Sequence, residues 1–313
     1  MRLEDIGFYT LSNERALTSS STTRLERCEL IVTDRCNFKC PYCRGMKEED
    51  RGDLSFDDAK KVIDFWVSDQ VRNIRLSGGE PTVWPHLLKL VQYARTFFCI
   101  EHIALSTNGS ASIEFYQELT DAGVNDFSIS LDACCSQTAD AMSGGTAKLD
   151  HIAEVIQYLS KQTYVTVGVV LDEKNTPELE CIIDYATKLG VSDIRIIPSA
   201  QSNHRLETKV DTSLPILKYR LKNIEDGRHV RGISEHDCKK CYLVLDDMAV
   251  MRMKHYPCII YMREYGNPIG PVSEHMREER LNWFKNHDSE QDPVCSKNCL
   301  DVCIDHNNMA GKR

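Results

Sequence analysis

CELIVTDRCNFKCPYC, residues 28–43, decides how this chain is read. Cys28 to Thr33 is an apolar run of the length expected for a short buried strand. Three cysteines follow at once, Cys36, Cys40 and Cys43, separated by three and two residues, so the thiols sit on a loop at the C-terminal end of that strand. Thiolates match the softness of iron and sulfide, which makes this trio a candidate iron-sulfur site. Three cysteines leave one iron of a four-iron cluster for a substrate or cofactor to coordinate. A structural zinc site is the alternative, although zinc wants four ligands and no nearby histidine completes this set.

Outward from this stretch the chain alternates. Ser55 is placed to cap a helix with an acidic first turn, and Val62, Ile63, Trp66 and Val67 then recur at helical spacing. Strands are expected at 73–77, 102–106, 126–131, 164–171 and 193–198, with helices at 86–98, 113–122, 149–161 and 176–189 between them. Six strands separated by helices are the pattern of parallel βαβ units, an α/β fold. Periodicity leaves open whether the sheet stays flat or curls into a barrel, but in both cases ligands sit at the C-terminal ends of the strands. The polar and glycine-rich segments all follow strands: the cysteine loop, Ser77-Gly78-Gly79-Glu80-Pro81, Ser106-Thr107-Asn108-Gly109, Ser130-Leu131-Asp132, Leu171-Asp172-Glu173 and Pro198-Ser199-Ala200-Gln201. They are expected to converge on one pocket.

Composition narrows the class. Hydrophobic residues are 42% of 313 and run along the whole length, so a sizeable core is available. A net charge of −9 argues against a surface built to wrap a phosphate backbone, which makes nucleic acid an unlikely partner. The basic stretch from Lys209 to Arg231 is interrupted by Asp211, Glu225 and Asp226 and reads as a solvated linker. The N-terminus has no apolar h-region and eighteen consecutive apolar residues occur nowhere, so a cytoplasmic protein without membrane contact is expected. Nine of the fourteen cysteines fall in two groups, at 36–43 and 238–303, and clustered thiols in a reducing compartment point to metal. Cys28, Cys99, Cys134, Cys135 and Cys181 read as buried small hydrophobes.

The cysteine spacing after the first strand, followed by Gly78-Gly79-Glu80-Pro81 after the second, resembles the radical S-adenosylmethionine (SAM) superfamily over residues 28 to 200. That resemblance implies a partial (β/α)6 TIM-type barrel. It further implies that Cys36, Cys40 and Cys43 ligate a [4Fe-4S] cluster whose open iron chelates the methionine part of SAM. Tyr42 would lie against the adenine. Gly78 and Gly79 would let the backbone approach the methionine ammonium, and Glu80 would add negative charge near it. Ser106, Asn108, Ser130 and Asp132 are candidates for the ribose, the methionine carboxylate or the substrate. Each also has an ordinary structural explanation: Gly78-Gly79 as a turn, Ser106 to Gly109 as a polar loop, Asp132 as a helix cap. The implied chemistry is reductive cleavage of SAM to a 5'-deoxyadenosyl radical that takes hydrogen from a substrate carbon. An electron donor such as flavodoxin or ferredoxin would supply the reducing electron.

The last quarter carries Cys238, Cys241, Cys258, Cys295, Cys299 and Cys303. Lys254 to Ile260 reads as a hairpin strand presenting Cys258, and the terminal trio rides on a loop or short helix. This group resembles the SPASM/Twitch extension, which implies an auxiliary [4Fe-4S] cluster. The match is partial, because Met253 stands where that family's glycine is usual and the terminal cysteine run is shorter. Six thiols allow one cluster with two spare cysteines or two partly ligated clusters, and one is favoured; a zinc ribbon is the plainer reading. The domain plan is a 1–27 extension, a 28–231 core and a cysteine-rich module at 232–313.

The function expected is a radical SAM enzyme acting on a small molecule or a peptide. The segment before Cys28 has no room for a leader-binding winged helix, which tilts toward a compact substrate or a leaderless partner. Cys238-x2-Cys241 with Cys258 also resembles the GTP cyclase of molybdenum-cofactor synthesis, although the chain ends Ala-Gly-Lys-Arg instead of Gly-Gly. A non-catalytic iron-sulfur or zinc protein is the option in a different class. Arg263-Glu264, Arg277 and Arg280 are candidates for an anionic substrate, and a solvated, salt-bridged helix face is the favoured account of Arg277 and Arg280.

Overall fold

A computed structural model describes residues 13–44, 52–201, 208 and 210–312. Residues 1–12, the first part of the extension expected at the N-terminus, lie outside them, as does Lys209. A short helix α1 (Asn13–Thr18) precedes β1 (Arg27–Thr33), α2 (Phe56–Ser68) and β2 (Asn73–Gly78). The alternation continues through α3 (Leu87–Ala94), β3 (His102–Thr107), α4 (Ile113–Ala122), β4 (Asp126–Ser130), α5 (Ser136–Ser143), α6 (Leu149–Leu159), β5 (Tyr164–Leu171), α7 (Leu179–Lys188) and β6 (Asp193–Pro198). The six expected strands are present with boundaries shifted by one residue at most. The helix expected at 176–189 begins as a 3-10 turn over Thr176–Glu178, where Pro177 withholds a backbone donor. Ser55 and Ser112 cap α2 and α4, accepting from the amides of Asp58 at 3.1 Å and Phe115 at 3.2 Å.

Together with β7 (Asp247–Met251), β8 (Lys254–Tyr256) and β9 (Gly270–Pro271), the strands form one sheet in the order β6-β5-β4-β3-β2-β1-β7-β8-β9. All pairs from β1 to β6 are parallel. Alternate residues on their inner face, among them Arg27, Glu29, Arg75, Ser128, Gly168 and Arg195, line a single cavity of about 340 Å3, so the sheet curls around it. β6 is an edge strand and does not pair with β1, which makes this a partial (β/α)6 barrel. The outer face is packed under the helices around Trp66, Leu76, Leu90, Phe127 and Ile156, each essentially inaccessible to water.

Beyond the barrel come α8 (Pro215–Glu225), β7 (Asp247–Met251), β8 (Lys254–Tyr256), α9 (Ile259–Arg263), β9 (Gly270–Pro271), α10 (Met276–Asn286), α11 (Cys295–Asn298) and α12 (Asp301–Ala310). β7 runs parallel to β1, with Arg27 opposite Asp247, and β8 folds back on it as the expected hairpin. The cysteine-rich region therefore adds strands to the same sheet.

Several expectations are corrected here. The stretch read as a linker contains α8, whose Arg220 is buried and pairs with Asp301 at 2.6 Å. Arg280 is not solvated but 2% exposed, donating to the carbonyls of Val244 and Tyr256, both at 3.0 Å, and of Asp247. Arg277 is half-buried and bonds Asp69 at 3.0 Å and the Leu245 carbonyl at 2.9 Å. Among the five isolated cysteines only Cys28 is fully buried; Cys99 is half-buried, Cys135 is exposed, and Cys134 is joined to Cys181 in a disulfide. No helix of the described residues is long and apolar enough to cross a membrane.

Candidate functional site

At the C-terminal ends of the strands lies a second cavity of about 230 Å3. Cys36, Cys40, Cys43, Tyr42, Gly78, Gly79, Ser106, Asn108, Ser130 and Asp132 all line it. Loops after four different strands thus meet where the parallel-sheet rule places a ligand. Its boundary with the barrel cavity is shared: Ser77, Ser106, Ser130, Val170 and Arg263 line both.

The cysteine loop is held from several sides. The amides of Gly79 and Glu80 donate to the carbonyls of Thr33 and Arg35, both at 2.8 Å. Asn108 donates to the side chain of Asn37 at 2.9 Å, and the Lys39 amide donates to the Ser143 carbonyl at 3.0 Å. The Tyr42 hydroxyl donates to Asp132, and Gln201 donates to the Tyr42 carbonyl at 3.0 Å. The other oxygen of Asp132 accepts from the Val170 amide at 2.7 Å. Burial pushes the Asp132 carboxyl up to about 6, against the opposing pull of those two hydrogen bonds.

Three site residues act differently from the expectation. A Cβ added to Gly78 would lie 2.4 Å from the Thr33 carbonyl oxygen, and one on Gly79 would lie 2.3 Å from that of Arg35. The glycines therefore admit the cysteine loop itself. Glu80 does not line the cavity: its buried carboxylate accepts from Thr82 and Thr107 hydroxyls and the Asn108 amide, each at 2.7 Å, and from the Thr82 amide at 3.1 Å. It ties the second strand's loop to the third's. Burial raises its pKa above the ordinary carboxylate value despite those donors.

Comparison with known proteins decides the family. Residues 30–186, half of the chain, match the description of the radical SAM superfamily. The chain belongs to that superfamily. Among curated relatives, GTP 3',8-cyclase of Staphylococcus carnosus is 32% identical over 182 residues, 55% of this chain and 48% of that protein. GTP 3',8-cyclase 1 of Pseudomonas aeruginosa is 28% identical over 188 residues, 57% of this chain and 56% of that one. The chain thus spans about half the length of the curated relatives it matches. Among solved radical SAM structures, anSMEcpe with bound AdoMet superimposes with a TM-score of 0.59 at 12% identity, covering 91% of this chain and 96% of that one. SuiB of Streptococcus suis bound to S-adenosylmethionine gives 0.59 at 15% identity, covering 88% and 67%. These likenesses show a shared fold.

Five of the later cysteines of this radical SAM chain act on one another. Burial pushes Cys241 up to about 12, with Cys303 raising it further. Burial likewise raises Cys258, which feels Cys241 and Cys303, and Cys295, which feels Cys241 and Cys258. Cys299 and Cys303 act on each other, which raises Cys299 and lowers Cys303. Cys303 also lines the barrel cavity. Cys238 lies beside the Lys240 carbonyl at 3.6 Å and next to Gly311. Next to Cys295, His287 and Asp292 bring ligand atoms within 4.8 Å of one another, and His287 stacks on Trp283 at 3.7 Å. Sequence reasoning missed Asn37, Thr107 and His287; the first two sit inside the loops it singled out.

Proposed function

We propose that this chain is a radical SAM enzyme whose cluster is held by Cys36, Cys40 and Cys43 and whose substrate, a small molecule or peptide, occupies the barrel interior. The observation that carries this is the convergence of those thiols with Gly78, Gly79, Ser106, Asn108, Ser130 and Asp132 on one cavity. The donor set fits the group. Burial, and the nearby charges of Asp132, Cys43 and Cys36, push the Cys40 thiol up to about 12, a cost that a cationic iron cluster relieves by favouring the thiolate. When bound, a reduced [4Fe-4S] cluster supplies the electron that splits SAM into methionine and the 5'-deoxyadenosyl radical. The electron would come from a flavodoxin or ferredoxin type of donor.

The chain's own residues do the positioning. Asn37, Lys39 and Tyr42 fix the cysteine loop against Asn108, Ser143 and Asp132, so little reorganisation is needed on binding. Ser106 and Ser130, at the boundary of the two cavities, are placed to orient SAM or substrate, and Tyr42 to cover the adenine. Residues 28–231 serve as the core. Residues 232–313 carry an auxiliary [4Fe-4S] cluster drawn from Cys241, Cys258, Cys295, Cys299 and Cys303. The test is anaerobic incubation with SAM and dithionite: 5'-deoxyadenosine forms, and Cys40→Ala abolishes it. Cluster-loaded protein that makes none overturns the reading.

A second reading, GTP-cyclase-like chemistry, is favoured by the 32% identity over 182 residues to a GTP 3',8-cyclase. GTP consumed in step with 5'-deoxyadenosine formation would support it, and SAM cleavage indifferent to GTP would remove it.

A further inference from the structure

Six arginines, Arg27, Arg75, Arg195, Arg220, Arg231 and Arg263, line the barrel cavity of about 340 Å3 against two carboxylates, Glu29 and Asp247. The chain as a whole carries a charge of −9, so this interior runs against the charge of the molecule. Some of the cations have acidic neighbours: Arg27 donates to Asp247 at 3.0 Å, Arg220 meets Asp301 at 2.6 Å, and Arg75 lies 3.9 Å from Asp126. With Asp126, Asp301 and the Glu264 that acts on Arg231 counted, guanidinium groups still exceed carboxylates among the described residues. Arg195 donates to the Ser128 hydroxyl at 3.1 Å, and Arg263 reaches the Ser77 hydroxyl at 3.5 Å and the Gly78 carbonyl at 3.4 Å.

Gathering like charges in a water-poor cavity is costly unless an anion compensates them. Burial already pulls Arg75 and Arg231 below the ordinary guanidinium value. Guanidinium forks match phosphate and carboxylate oxygens two at a time. The cavity is of the size that holds small ligands. It adjoins the cavity of the cysteine loop through Ser77, Ser106, Ser130, Val170 and Arg263.

We propose that this cavity binds a compact polyanion, a small molecule carrying phosphate or several carboxylate groups, as the enzyme's substrate. The binding stands on the arginines; only the chemistry that follows rests on the radical SAM function proposed above. Inside the barrel Arg195 and Arg263 grip the anionic groups and leave the C–H portion toward the cysteine loop.

The test is calorimetric titration of the cluster-loaded chain with sodium tripolyphosphate and, separately, with citrate. At least one anion binds with a dissociation constant below about 1 mM, and binding weakens with added salt. A preference for tripolyphosphate assigns a phosphorylated substrate, and one for citrate a polycarboxylate. Arg195→Gln and Arg263→Gln each weaken binding about tenfold or more. Lys188→Gln, which removes the same charge from the surface, changes nothing. Should an arginine variant fail to fold, phenylglyoxal labelling of the unaltered chain decides: the anion shields Arg195 and Arg263. The proposal is overturned if neither anion binds, if shielding is absent, or if the arginine variants behave like Lys188→Gln. Assay of 5'-deoxyadenosine on the same preparations separates the two claims. SAM cleavage without anion binding sinks only the polyanion, and anion binding without SAM cleavage sinks only the radical function.

Discussion

The backbone amide of Gly79 donates to the carbonyl of Thr33 at 2.8 Å, joining the loop after β2 to the start of the cysteine loop. A methyl group on Gly79 has nowhere to go, because the Arg35 carbonyl would be 2.3 Å away. Gly79→Ala is expected to cost about 1–3 kcal/mol and to reduce the iron retained after anaerobic reconstitution. Gly52→Ala, with nothing within 4 Å of its new methyl, is the control and should keep both. Urea unfolding and iron analysis read the outcome; equal behaviour of the two variants would show that the close approach does not matter.

The Glu80 carboxylate receives four hydrogen bonds and donates none. Glu80→Gln puts an NH2 group against donors, leaving at least one of them unsatisfied in a buried setting. The expected loss is about 1–3 kcal/mol in stability together with weaker SAM binding, since the loop carrying Asn108 loses its anchor. Thermal melting and equilibrium dialysis with SAM would reveal it.

Arg280 fixes α10 to β7, β8 and the turn before them by hydrogen bonds to the carbonyls of Val244, Asp247 and Tyr256. Arg280→Met abandons those buried acceptors and is expected to destabilise by roughly 3–5 kcal/mol, measured by urea denaturation. Arg280→Lys should rescue little of it, because a point charge cannot reach several carbonyls at once.

His255 gives the fold an acid sensitivity. Burial, and then the Arg280 charge, lower it from an ordinary 6.5 to about 4, while Glu279 at 2.8 Å pulls the other way. Because the unfolded chain takes up the proton first, the stabilising effect of a neutral His255 is complete above about pH 6.5. It is lost as pH falls toward 4, and a separation of that size is worth about 3 kcal/mol. His255→Gln should flatten the fall in unfolding free energy between those two pH values. A curve of unchanged slope would assign the acid sensitivity to other groups.

Much of the barrel was legible because the helix-covered face of the strands reads as apolar at every second position, as Val165, Val167 and Val169 do on β5. The loops after those strands were recognisable by their polar and glycine content, so the convergence on one cavity followed from topology. β7 escaped notice because Asp247-Met248-Ala249-Val250-Met251 is a short run that opens on an acidic residue. α5 was missed because Ser136-Gln137-Thr138-Ala139-Asp140 carries no clear apolar face. The arginine-lined interior did leave a signal in the sequence. Arg27 and Glu29, Arg75 and Ser77, Ser128 and Ser130 are polar at every second position of otherwise apolar strands, the mark of a face turned toward a cavity. What alternation cannot convey is which backbone a glycine must clear, or that Glu80 faces a neighbouring loop, because both depend on contacts across the sheet.

The parallel pairing of β7 with β1, from Arg27–Asp247 to Ile31–Met251, has an evolutionary and practical corollary. The cysteine-rich tail is no cassette that can be exchanged at residue 232, because it supplies the neighbour of the very strand that delivers the first three cysteines. A shortened chain would present that strand as a bare ribbon for other molecules to join, and aggregation would precede any loss of chemistry. Changes in the tail that shift β7 reach the cysteine loop by way of one shared ladder.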